Sequence, residues 1–152
     1  MHPVLRTILS MVAGYVVMAA ALMAIFTVAY LGLGADWSFK PDSWEPSARW
    51  IALSLITGGV VAFAGGTVTQ LLDRSGKGAL ALMGLILVLG ILTAVLTLTG
   101  GAPASSLRTT ASPGNMEAMQ NAIQPMWLFF VNPLVGLIGV FAATKLVRRR
   151  HG

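Results

Sequence analysis

Four apolar stretches, over about 6–33, 50–72, 78–99 and 126–147, dominate a chain of 152 residues. The first three hold no Asp, Glu, Lys or Arg between their ends, and the fourth holds only Lys145, close to its C-terminal end. Each exceeds the ~18 to 20 residues an α-helix needs to cross a ~30 Å hydrocarbon layer, so each is read as a transmembrane helix. The expected fold is all-α: an integral-membrane, antiparallel up-down four-helix bundle, one domain over 1–152, with outer loops at 34–49 and 100–125. Composition agrees, because 56% hydrophobic and 10% charged residues leave too little polar surface to cover a water-soluble exterior.

The basic residues set the expected orientation. Arg6, Arg74, Lys77, Lys145, Arg148, Arg149 and Arg150 fall on one side of the spans, and only Lys40, Arg49 and Arg108 on the other. By the positive-inside rule the larger group is cytoplasmic, with both termini and the turn at 73–77. Trp37, Trp44, Trp50 and Trp127 all fall on the opposite, outer side. Together with Phe39 they are read as an outer interface, either an aromatic belt or a contact surface for a partner. A signal peptide is the other reading of the N-terminus, but its apolar core of roughly 25 residues exceeds the ~7 to 15 of a cleavable signal. Retention as the first span is expected.

Between the spans, Asp73-Arg74-Ser75-Gly76-Lys77 reads as a tight turn joining antiparallel neighbours, with Gly76 supplying a positive φ. The loop after the first span, with Pro41, Pro46 and three acids, reads as ordered but too short for a domain. In the third loop, Gly100-Gly101-Ala102-Pro103 and Ser112-Pro113-Gly114 act as breakers. Asn115 then offers an N-cap to a short amphipathic helix, with Met116, Met119 and Ile123 on one face and Glu117, Gln120, Asn121 and Gln124 on the other.

Apolar helices in lipid have no hydrophobic drive to associate, so small residues that admit close backbone approach mark the contact faces. Ser54, Gly58, Ala62, Gly65 and Thr69 form such a stripe on the second span, and Asn132, Gly136, Gly139 and Ala143 on the fourth. Ser10, Gly14, Ala21 and Ala24 make a weaker one on the first. These stripes pack the bundle internally or dock another subunit.

Chemistry finds little purchase. A proton or cation relay needs an ionisable group at membrane depth, and haem or pigment ligation commonly needs a membrane-embedded His, whereas His2 and His151 are terminal. With no Cys and no cluster of His and carboxylates, no metal, cofactor or catalytic residue is expected. Thr27, Thr57, Thr67, Thr93 and Thr97 can satisfy their hydroxyls on their own helices, while Gln70 and Asn132 are expected to bond across helix interfaces. Arg148, Arg149 and Arg150 are expected to contact anionic lipid; the short basic tail does not suit nucleic acid.

With Ala13-Gly14-Tyr15 following an N-terminal basic residue, and Gly58-Gly59 and Gly65-Gly66 on a second span that ends in a basic turn, the chain resembles small four-span bacterial inner-membrane proteins with no assigned activity. The resemblance implies a bacterial cytoplasmic-membrane protein and carries over no site residues. The expected function is an accessory or scaffold subunit of a larger inner-membrane complex, such as a respiratory or photosynthetic one. The alternative is a homo-oligomeric transporter or channel lined by Asn132, Gln70 and threonines.

Overall fold

The computed structural model describes residues 2–100 and 106–151, and the side chains of Arg150 and His151 fall outside that description, as do the expected breakers Gly101 to Pro103. Six helices follow in order: α1 (Pro3–Leu33), α2 (Ala35–Ser38), α3 (Ala48–Leu72), α4 (Lys77–Thr99), α5 (Asn115–Asn121) and α6 (Leu128–His151). No strand occurs among the described residues, only two isolated bridges, Phe39 with Pro46 and Ser43 with Leu107. α1, α3, α4 and the 128–149 part of α6 are long and apolar enough to cross a membrane, which makes the chain an all-helical, multi-pass membrane protein.

Local chemistry explains the ends. Pro3 opens α1, where its missing N–H costs nothing. Ser47 caps α3 by accepting from the Trp50 amide at 3.1 Å. Gly34, at φ 78°, turns α1 into α2, and Gly76, at φ 81°, makes the tight turn into α4 as its sequence position requires. Pro133 lies inside α6, which stays one helix and runs on through the basic tail.

α3 packs against α1 and α6, and α4 against the same two. Residues early in α1 meet residues at the end of α3, where Thr7 bonds Asp73 and the Thr69 hydroxyl donates to the Ser10 carbonyl at 3.2 Å, and Phe26 late in α1 packs on Trp50 early in α3. The small residues carry the close approaches. A Cβ on Gly65 would stand 2.7 Å from the Gly14 carbonyl oxygen, and one on Gly139 would stand 2.7 Å from that of Gly59. On the same side of α3, a Cβ on Gly66 would meet the Val140 backbone at 2.8 Å. Three residues of the expected stripe on α3 pack within the chain, Gly65 and Thr69 against α1 and Ala62 against α6. Met18, Val61, Ala62, Ala79, Leu82 and Val140 fill the interior there.

A second core lies at the other end of the helices. Tyr30, Ala35, Phe39, Trp44 and Ala118 bury one another, with Trp50 and Ile123 packed alongside. This small cap is built from both longer loops.

Candidate functional site

Each end of the helices gathers its polar groups differently. At the 73–78 turn, Asp73 is buried and its carboxylate accepts four hydrogen bonds: from the Ser75 amide (3.1 Å) and hydroxyl (2.7 Å), the Gly78 amide (2.9 Å) and the Thr7 hydroxyl (3.2 Å). Burial alone would raise its pKa; the bonds from Ser75, Gly78 and Thr7 outweigh it and hold the carboxyl below the usual carboxylate range. Asp73 thereby caps α4 and ties α1 to the turn. Arg6 Nε donates to the Leu72 carbonyl at 2.8 Å and Arg148 to that of Ser75 at 3.3 Å, so two basic residues serve orphan carbonyls near the helix end. Arg149 is exposed beside them.

Gln70, buried in the last turn of α3, donates to the Arg74 carbonyl at 3.2 Å, and its Oε1 has no partner among the described residues. In place of the expected bond across a helix interface, Gln70 makes a local one, to a carbonyl that the turn after α3 leaves outside the helical bonding.

In the cap, Arg108 is buried and holds three segments together. Its guanidinium reaches Asp36 at 2.9 Å and the Ala111 carbonyl at 2.8 Å, while its amide donates to the Asp42 carbonyl at 2.9 Å. Asp42 takes the left-handed conformation, φ 51°. The Tyr30 hydroxyl donates to the Pro113 carbonyl at 2.8 Å, and the Ile123 amide to that of Trp44 at 3.0 Å. Rings pack edge-on: Phe39 on Trp44 at 5.5 Å and Trp37 on Trp50 at 6.2 Å.

This geometry corrects the outer-interface reading. Phe39 and Trp44 are only 5% and 7% exposed, because the cap has its own apolar core to fill, and they offer no contact surface. Trp37 and Trp50 are half-buried, and Trp127 alone of the five is exposed. The short helix expected after Asn115 is present as α5, with two changes. Gly114 holds the N-cap position, and the Asn115 side chain reaches instead to the Thr27 hydroxyl at 3.4 Å. Met116 and Met119 are exposed, and Ala118 is the residue α5 buries.

Below the cap, between α1, α3, α4 and α6, lies a groove of about 380 Å³. Tyr15, Phe26, Gly58, Thr93, Asn132 and Gly136 are among its lining residues. It shares Phe26, Ser54 and Gln124 with a cavity of about 270 Å³ immediately under the cap. Asn132, expected to bond across an interface, is exposed on this groove, and its side chain makes no hydrogen bond among the described residues. The reason is tertiary: Gly139 and Ala143 on the same stripe are buried against α3, whereas the helices stand apart along the groove that Asn132 borders. Gly58 belongs to the groove as well, with a Cβ there meeting only Val135 at 4.0 Å. Thr67, Thr93 and Thr97 donate to carbonyls one turn back on their own helices. Ser54 does likewise at three residues' distance.

No known protein family, curated protein or solved structure matches the chain, so the likeness to four-span bacterial proteins rests on the glycine pairs and the Ala-Gly-Tyr run quoted above.

Proposed function

We propose that the protein is a non-enzymatic accessory subunit of a larger inner-membrane assembly, and that the groove bordered by Asn132 receives its membrane partner. The fold read here is an antiparallel four-helix bundle with both termini cytoplasmic and the aromatic cap outside. Seven of ten basic residues at the inner end support that orientation. Exposed thiols test it: Asp42→Cys and Gln120→Cys should react with an impermeant reagent in intact cells, and Arg74→Cys should not. Labelling of Arg74→Cys alone would invert the topology.

The single observation that carries the partner reading is Asn132. It sits only ~6 Å of helix rise inside the start of α6, and its side chain has no bond among the described residues. An amide facing lipid is costly unless it finds a partner, and this one faces a groove with apolar walls. Tyr15 and Gln124, on the same groove, also make no side-chain hydrogen bond among the described residues. A partner helix or side chain seated there would satisfy all three. Of the stripe on α3, Ala62, Gly65 and Thr69 are engaged within the chain, and Ser54 and Gly58 border the groove.

The transport reading needs a path through the bundle. Gln70 lies outside the groove, and below it Met18, Val61, Leu82 and Val140 fill the interior. Purification in mild detergent separates the two. A larger complex that Asn132→Leu disrupts while the monomer keeps its melting temperature supports the subunit. Solute flux from the pure protein in liposomes, abolished by Asn132→Leu, would replace it with the transporter.

A further inference from the structure

At the inner end, the first turns of α1 and the turn into α4 enclose a second groove, about 430 Å³, lined by Val4, Arg6, Ile8, Asp73, Ser75 and Lys77 among others. We propose that this groove binds one anionic phospholipid, with the headgroup phosphate between Arg6 and Lys77 and an acyl chain along Val4 and Ile8.

The charges favour an anion. Among the described residues the ion pairs are Lys40 with Glu45 and Arg108 with Asp36, both in the loops between spans, so neither Arg6 nor Lys77 is neutralised by a carboxylate. Arg6 commits its Nε to the Leu72 carbonyl, a bond that anchors the guanidinium beside the groove and leaves its two terminal nitrogens to fork onto a phosphate. The Lys77 ammonium makes no hydrogen bond or ion pair among the described residues. The one acid in the lining, Asp73, has its carboxylate met by four donors, and it already occupies the start of α4, so the helix terminus itself is not the anion site. Arg74 and Arg148 beside the turn add to the positive potential.

The walls favour a lipid over a free ion. Val4 and Ile8 are 58% and 48% exposed, on the part of α1 that enters the membrane. A soluble phosphate would gain nothing from them, whereas an acyl chain covers apolar surface there and holds the headgroup at the level of the two cations. This site is separate from the lipid contact expected of the basic tail at 148–150, whose residues do not line the groove.

The test uses the full chain in neutral phosphatidylcholine nanodiscs doped with increasing phosphatidylglycerol, with native mass spectrometry counting retained lipids. The wild type should hold one phosphatidylglycerol in preference to phosphatidylcholine. Lys77→Gln, which removes no side-chain hydrogen bond or ion pair among the described residues, should weaken that preference about fivefold, and Arg6→Gln with Lys77→Gln roughly twentyfold or more. Arg148→Gln with Arg149→Gln should retain the bound lipid. Because Arg6→Gln also removes the Leu72 bond, Arg6→Lys with an unchanged melting temperature serves as its folded counterpart. Equal losses in the groove and tail variants, no preference in the wild type, or displacement of the lipid by millimolar inorganic phosphate would each overturn the proposal.

Discussion

The two halves of this molecule are closed by different means. Toward the 73–78 turn, α1 and α6 meet α3 backbone to backbone, with Gly14 against Gly65, Gly66 against Val140 and, nearer the middle, Gly59 against Gly139. One buried carboxylate then locks the ends. Toward the loops the contacts are made by rings, and where the rings stop an open groove remains. Small residues leave no spare volume and no freedom to move; aromatic side chains span larger gaps but do not fill them. The half that is packed most tightly is the scaffold, and the half that is packed least is free to receive something else.

The largest test of that contrast is a pair of identical substitutions on one helix. Gly65→Leu forces a side chain into the Gly14 backbone and should cost about 3 kcal/mol or more, enough to abolish a cooperative melting transition in detergent. Gly58→Leu, with only Val135 near, should leave the melting temperature almost unchanged while filling the groove and releasing the partner. If the two variants melt alike, the halves do not differ as described.

Next in size is the lock itself. Asp73→Asn removes a charge that four donors converge on and should cost about 2 to 3 kcal/mol. Its pH dependence follows from the lowered pKa. A carboxyl held below its unfolded value of about 3.9 contributes stability that is fully present above that pH and is lost as pH falls through the folded value. The wild type should therefore lose stability below about pH 4, and the Asn variant should show a flatter profile over that range. Equal acid sensitivity in both would remove Asp73 from the account.

The smallest effect belongs to the cap. Tyr30→Phe deletes one neutral hydrogen bond to the Pro113 carbonyl and should cost about 1 kcal/mol. It should show as faster hydrogen exchange and proteolysis of the loops, with the helices toward the turn unaffected. Loss of protection in α4 as well would mean that the two halves unfold as one.

The contrast was only half legible in the sequence. Hydropathy places the four spans within a few residues, and the Gly76 turn follows from its own composition, because both are local properties. The glycine stripes point to close packing, although the choice between packing inside the chain and docking outside it needs the neighbours. The cap was not legible, since Tyr30 bonds Pro113 and Arg108 pairs with Asp36 across separations of 83 and 72 residues. No periodicity encodes such pairings. Arg108 thus read as a topology signal and Phe39 and Trp44 as surface, when all three are interior. Asn132 shows the limit of helical phase: it shares a stripe with Gly136 and Gly139, yet their burial and its exposure are decided by where adjacent helices separate.

The account stands most directly on what lies against Asn132 in the native membrane. A photo-crosslinking side chain placed there, compared with one at Ile138, which is 68% exposed farther along the same helix, distinguishes a docked partner from lipid. Asn132 should yield one discrete protein adduct, and Ile138 only lipid adducts. Lipid adducts alone at both positions would contradict the groove's role as the partner site.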